Sequence, residues 1–233
     1  FEIAQEAWEI ATRFMIPVMI LSDGYLANGA EPWAIPNVNE LPPIPVKHPE
    51  GGSNGEEPFK PYERNEDLSR PWAVPGTPGL MHRLGGLEKE DITGNVSYDP
   101  ANHQHMTDLR AQKVANVAKY APLLEVDGPE EGDLLVLTWG GTYGACATAT
   151  HMAQKAGLAV AHAHLRYLNP FPRNLGEVLG KYKRVLIPEL NMGQLRMLIR
   201  SKFLIDAVGL NKVQGRPFHV REVLQKIENL VSQ

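Results

Sequence analysis

Ile3, Ala7, Ile10 and Phe14 recur at helical spacing at the start of the chain, and Pro17 stops the pattern. This spacing predicts an amphipathic helix. The run Val18-Met19-Ile20-Leu21 follows, apolar at every position, as in a parallel strand buried on both faces. Such a strand needs neighbours, and none is nearby in the sequence. One helix and one strand bury no core alone, so the pattern predicts an upstream portion of an α/β domain. The alternative is that the pair docks onto the later domain.

The pattern then lapses. Of the 19 prolines, 11 lie between Pro36 and Pro100, and Gly51, Gly52, Gly76, Gly79, Gly85 and Gly86 fall among them. Stretches such as Leu41-Pro42-Pro43-Ile44-Pro45 sustain neither a helix nor a central strand. Phe59, Tyr62, Trp72 and Met81 are more apolar than a solvated linker would carry. The segment is therefore expected to be an extended arm lying across protein surface.

Helical spacing returns at Met106–Tyr120, with Asp99-Pro100 placed to cap its entry. A regular alternation follows. Leu134–Thr138 reads as a strand, Gly140–Gly144 as a turn, and Ala145–Ala156 as a helix stopped by Gly157. Leu158–Leu168 reads as a second strand, broken by Asn169-Pro170-Phe171-Pro172. A short helix over Leu175–Tyr182 leads to a third strand, Arg184–Pro188. A helix over Gly193–Val208 is expected to end at Gly209. A short strand at Lys212–Gln214 then precedes a last helix, Val220–Leu230. Strands alternating with helices predict an α/β fold with a doubly wound, mostly parallel sheet. The expected divisions are 1–33, a remnant of one α/β domain; 34–121, the arm and its connecting helix; and 122–233, the sheet domain.

Composition narrows the function. Apolar residues make up 43% of the 233 residues, which fits an ordinary globular protein with a sizeable core. With 23 basic against 27 acidic residues the net charge is −4, which argues against a general polyanion or nucleic-acid binder. One cysteine, Cys146, excludes a disulfide framework, a cysteine zinc site or a four-cysteine iron–sulfur cluster within this chain. The apolar stretch Phe14–Leu21 is far shorter than the roughly 20 residues of a membrane span. No signal-peptide pattern opens the chain, so the cytoplasm is the expected compartment.

Several positions are candidates for chemistry. Gly140, Gly141, Thr142 and Tyr143 lie between a strand and a helix, where backbone N–H groups and the helix dipole can hold an anion. The loop is neither G-x-G-x-x-G nor a P-loop, and a tight turn needs glycine for packing alone. Arg166 stands where a dinucleotide fold carries an acid for ribose. His162 and His164 are two apart on a strand, and His103 and His105 form a second pair with that spacing. Two imidazoles begin a metal site, but no HExxH motif or cysteine pair completes either. Histidines packed or hydrogen-bonded at a domain contact are the expected case. Ser22 and Asp23 follow the first apolar run at a position where open sheets bind ligands, and Asp23 suits either ligand contact or the cap of a turn. Cys146 in a first helical turn reads as a small packed residue more than a nucleophile. Glu189, at the end of a strand, suits local hydrogen bonds or a subunit interface.

Taken together, these stretches resemble one family. Pro17–Ala27 followed by Glu31-Pro32-Trp33 looks like the end of the pyrimidine-binding domain of 2-oxoacid:ferredoxin oxidoreductase α subunits. Arg70–Gly79 and Gly85-Gly86-Leu87-Glu88 look like the arm of the 2-oxoglutarate type. Thr138–Gly144, Leu165–Pro172 and Pro188–Leu195 resemble the second domain of that family, which has the transketolase C-terminal fold. The resemblance covers essentially the whole chain. It implies the C-terminal part of an α subunit in a cytoplasmic enzyme that oxidatively decarboxylates a 2-oxoacid to an acyl-CoA. The implied cofactors are thiamine diphosphate, Mg²⁺ and a 4Fe-4S cluster, held mainly by a β subunit. The implied partners are that β subunit, CoA and ferredoxin, in an (αβ)₂ assembly without nucleic acid or membrane. The family's catalytic residues match no position here, so this stretch is expected to act as scaffold and subunit contact, with Ser22 and Asp23 nearest the cofactor side. The competing reading is a free-standing α/β module that binds a nucleotide or anion at Gly140–Gly144.

Overall fold

The computed structural model describes residues 1–51 and 58–232; Gly52, expected in the arm, lies outside the described residues. The chain divides into two compact units, one formed by 1–20 with 33–120 and the other by 21–32 with 121–233.

In the first unit, α1 (Glu2–Phe14) ends at Met15, whose left-handed backbone turns the chain before Pro17. Of its apolar stripe, Phe14 is the residue fully buried. The α3 helix (Pro100–Asn116) starts where Asp99 accepts from the Ala101 N–H at 3.1 Å, with proline at the first helical position. It begins six residues earlier than the apolar spacing predicts, because the cap, not the periodicity, sets the start. Among the described residues the proline-rich stretch forms no sheet; isolated bridges, Tyr62 to Ile92 and Lys89 to Val96, and turn hydrogen bonds run along it. Side chains pin it as well. The Trp72 indole donates to the Thr12 carbonyl at 2.7 Å. Asp67, buried, accepts from Arg13 Nε at 3.0 Å and from the Tyr120 hydroxyl at 2.6 Å. Arg13 stacks 3.5 Å from the centre of the Tyr120 ring, and Tyr120 meets Phe14 edge-on.

The expected strand at Val18–Leu21 does not form. The segment is extended but unpaired, with Met19 87% and Leu21 68% exposed, because no described strand offers it a ladder. A short helix, α2 (Gly24–Ala27), follows it.

The second unit is an α/β layer structure. Its strands are β1 (Val126–Asp127), β2 (Gly132–Trp139), β3 (Val160–Leu165), β4 (Tyr182–Glu189) and β5 (Val208–Asn211), in the spatial order β1-β3-β2-β4-β5. All pairings are parallel except the β1 edge. The helices are α4 (Tyr143–Lys155), α5 (Leu175–Gly180), α6 (Gln194–Phe203) and α7 (Val220–Val231). Alternation along β2 explains the layers. Leu135 and Leu137 pack with Leu175, Leu179, Leu195 and Ile199 of α5 and α6, while Leu134 and Val136 pack with Ala149, Ala153, Val223 and Ile227 of α4 and α7. The sheet is thus covered on both faces, as a doubly wound arrangement requires.

Three expected elements shift. The second strand closes at Leu165, not Leu168, and the chain leaves the sheet at Arg166. The helix expected to run to Val208 ends at Phe203, where Leu204 adopts a left-handed backbone. That frees Val208–Asn211 to be the last strand, in place of Lys212–Gln214. Gly209 is therefore a strand residue and not a helix stop. A Cβ there would lie 2.7 Å from Asn211 Oδ1 and 3.2 Å from Arg196 Cδ, so glycine leaves room for both side chains.

Candidate functional site

The carboxyl ends of β2, β3 and β4 collect the groups with chemistry. After Trp139, Gly140 takes a left-handed backbone and a 3₁₀ turn over Gly140–Thr142 leads into α4. Thr142 is buried, and its hydroxyl donates to the Trp139 carbonyl at 2.8 Å, closing the turn. Asp23 lies directly against this turn. A Cβ on Gly141 would stand 2.3 Å from Asp23 Oδ2, so only glycine admits the carboxylate. The other oxygen, Oδ1, accepts from the Tyr25 N–H at 2.8 Å and the Leu26 N–H at 3.4 Å, capping α2. Two stretches far apart in sequence, Ser22-Asp23 and Gly140–Tyr143, thus meet. Ser22 is exposed. An anion approaching the turn would encounter the Asp23 carboxylate, a like charge.

The histidines of β3 share a face, as their spacing predicts. The Thr138 hydroxyl lies between them, 2.8 Å from His162 Nε2 and 2.8 Å from His164 Nδ1, and 3.3 Å from the Ala163 carbonyl. A hydroxyl has one proton, so at least one imidazole must donate to Thr138. Tyr143 meets both rings edge-on, with centroids 5.4 and 5.0 Å away. Burial, reinforced by His164, pushes the His162 pKa down to about 4, and burial with the Arg166 charge lowers that of His164. Both rings are neutral at neutral pH. They line an open cleft of about 390 Å³ with Leu123, Val126, Arg166 and Tyr167. Among the described residues, no group of three or more His, Cys, Asp or Glu side chains converges to hold a metal ion.

The second histidine pair behaves differently. His103 and His105 lie on α3, where a two-residue separation turns them apart. His103 Nδ1 meets Glu88 at 2.6 Å and His105 Nε2 meets Asp91 at 2.9 Å.

Glu189 is fully buried at the end of β4 and accepts three hydrogen bonds: from the Leu195 N–H at 2.8 Å, the Arg196 N–H at 3.1 Å and the Trp139 indole at 3.3 Å. Asn191 Oδ1 accepts from the Gly193 and Gln194 N–H groups at 2.7 and 3.2 Å. The first amides of α6 are thereby satisfied within the chain. Cys146 is buried, and burial pushes its thiol up to about 12, so it carries no thiolate at neutral pH. Thr138 had no signal in the sequence as the link between the histidines. Its position opposite them in a parallel register was legible only once β2 and β3 were paired, Thr138 beside His164.

No family model matches the chain. It is 50% identical over 225 residues to the 2-oxoglutarate oxidoreductase subunit KorA of Mycobacterium tuberculosis, a match covering 96% of this chain and 34% of that protein. It is 28% identical to the alpha subunit of 2-oxoacid:ferredoxin oxidoreductase 1 of Aeropyrum pernix, covering 98% of this chain and 36% of that protein. Among solved structures it resembles the 2-oxoglutarate:ferredoxin oxidoreductase of Magnetococcus marinus, determined with 2-oxoglutarate, coenzyme A and succinyl-CoA bound. The TM-score is 0.86 at 31% identity, over 96% of this chain and 39% of that one. The chain spans about a third of the length of these relatives.

Proposed function

We propose that this chain, which belongs to the 2-oxoacid:ferredoxin oxidoreductase α-subunit family, is the C-terminal part of an α subunit that oxidises 2-oxoglutarate to an acyl-CoA. Half of the aligned residues are shared with a 2-oxoglutarate oxidoreductase subunit over nearly the whole chain, and this carries the reading. The wider enzyme works with a β subunit, in an (αβ)₂ assembly in the cytoplasm, and passes electrons to ferredoxin. No helix among the described residues is long and apolar enough to cross a membrane.

In this reading the segment supplies scaffold and subunit contact. Its own side chains support that division of labour. Glu189 spends its carboxylate on α6 and Trp139, Asp23 caps α2, and Cys146 is packed and protonated. The donor set does not fit the family's cofactors. One buried thiol cannot ligate a 4Fe-4S cluster, and the described carboxylates do not gather to hold the Mg²⁺ of thiamine diphosphate. In this reading those groups are held mainly by the β subunit, and no step of the reaction is assigned to residues of this segment.

The test is turnover. The full-length α subunit, assembled with its β partner and loaded with thiamine diphosphate, Mg²⁺ and cluster, should reduce a low-potential acceptor with 2-oxoglutarate only when CoA is present. A loaded complex that turns over another 2-oxoacid and ignores 2-oxoglutarate would refute the substrate assignment.

A further inference from the structure

The face of β3 that carries His162 and His164 has hydrogen-bonding capacity that the chain leaves unused. Thr138 Oγ1 takes up one nitrogen of each ring, His162 Nε2 and His164 Nδ1, both at 2.8 Å. The parallel register sets Thr138 opposite His164, and the Tyr143 ring meets both imidazoles edge-on, which fixes the two rings. The other nitrogens, His162 Nδ1 and His164 Nε2, meet no partner among the described residues. Neither is sealed in, because among the described residues the buried side-chain nitrogen or oxygen that lacks a partner is Arg196 Nε. His162 is only 3% exposed, so its unused nitrogen is reached through the cleft that both rings line.

The Thr138 hydroxyl decides what the cleft is offered. Its one proton goes to His162, to His164 or to the Ala163 carbonyl at 3.3 Å. A neutral imidazole carries one N–H and one bare nitrogen. With the proton on Ala163, both rings donate to Thr138 and both turn a bare nitrogen to the cleft. With the proton on one ring, that ring turns an N–H outward and the other a bare nitrogen. Every arrangement thus presents at least one acceptor and never two donors. A carboxylate or phosphate, which brings acceptors alone, is poorly matched to this. Glu125 and Asp127 line the same cleft with one guanidinium, that of Arg166, and they too oppose an anion. The ligand that fits is uncharged and brings an N–H. Leu123, Val126 and the Tyr143 ring, 54% exposed, give the walls an apolar and aromatic surface suited to a flat ring. The volume of about 390 Å³ lies in the range of small-molecule sites.

We propose that the cleft over His162, Thr138 and His164 binds an uncharged, flat heterocycle that bears an amino group, the chemistry of a nucleoside base. The site lies within the sheet unit and does not depend on the family reading. Adenosine and cytidine serve as the probes, titrated calorimetrically into the full-length protein without 2-oxoglutarate or CoA. At least one should bind saturably. Its N,N-dimethylated analogue, which has lost the amino donors, should bind about tenfold more weakly, the worth of one hydrogen bond. His162→Phe and His164→Phe each keep an aromatic ring and remove the nitrogens, and at least one of them should weaken binding by a similar factor. Failure of both probes to bind, equal affinity for a probe and its dimethylated analogue, or undiminished affinity in both histidine variants would overturn the proposal. If neither histidine variant folds, Thr138→Val, which keeps the branched shape and removes the hydroxyl that orients both rings, is read in the same way.

Discussion

Each of the two units is held together internally by different means. In the sheet unit, β2 is flanked on both sides by parallel partners, and its four consecutive residues Leu134–Leu137 are fully buried in two apolar layers. In the arm unit, strand pairing among the described residues is limited to isolated bridges, and local turns and polar side chains fasten the chain: Asp67 to Arg13 and Tyr120, Asp91 to Arg64 and His105, and Trp72 to Thr12. Apolar layers spread their stabilisation over many contacts and are not weakened by charge screening. Polar fasteners act one at a time, and exposed ones are screened. Proline-rich sequence leaves the arm little choice, since it removes the donors that a sheet would need.

Breaking the comparison at its strongest point means cutting into β2. Leu135→Ala should cost about 3–4 kcal/mol in denaturant unfolding of the sheet unit, the loss expected where a fully buried leucine leaves a cavity. A cost below about 1 kcal/mol would mean that the two layers repack easily. Next comes Glu189→Gln. It keeps the shape but turns an amide toward N–H donors, and should cost about 2 kcal/mol. The loss should appear as faster amide exchange at Leu195 and Arg196.

In the arm unit a single fastener matters less. Asp67→Asn should cost about 1 kcal/mol, because its partner Arg13 is 40% exposed and the pair is partly screened. Exchange should quicken at the end of α1, and 1 M salt should shrink the difference between variant and wild type. A salt-independent effect would place the contribution in packing instead.

Acid should separate the units by pH window. His162 has its pKa depressed from 6.5 to about 4, so the unfolded chain binds a proton that the folded one does not. Its neutral form favours folding fully above about 6.5, and that contribution is lost as pH falls toward about 4. In the arm, Glu88 is held low by Arg110 and then His103. Burial of Asp91 acts upward, but His105 and Arg64 outweigh it. Those contributions persist above the ordinary carboxylate values and are lost only as pH drops through the lowered ones. Amide exchange in β3 should therefore quicken between pH 6.5 and 4 while α3 holds. His162→Gln should flatten the β3 response.

The same contrast governs what the sequence disclosed. The sheet elements were legible because a two-faced strand has an apolar run and a covering helix has a period, as at Leu134–Leu137 and Val220–Leu230. Ends were legible only where a local signal sets them. Gly157, with its left-handed backbone, marks the end of α4, whereas Leu204 ends α6 in the same conformation without a glycine to announce it. Gly209 misled for a related reason, since its lack of a side chain makes room for Asn211 and Arg196 and not for a helix cap. Val18–Leu21 has a strand's composition, but a strand is a property of pairs, and composition does not supply the partner. At the site, the spacing of His162 and His164 put them on one face. Thr138 between them and Asp23 over Gly141 depend on tertiary approach, which no local pattern encodes.

The central claim is that this segment builds and positions without contributing a reacting group. Asp23→Asn tests it most directly, because asparagine is as good a cap as aspartate while the charge beside Gly141 disappears. Turnover of the assembled, cofactor-loaded enzyme with 2-oxoglutarate and CoA is measured for Asp23→Asn and, alongside it, Cys146→Ala. Both should keep kcat/KM within about threefold of wild type, a change of well under 1 kcal/mol in transition-state stabilisation. A hundredfold loss of kcat in either variant, with assembly, cofactor content and Tm unchanged, would contradict the claim and make that side chain part of the chemistry.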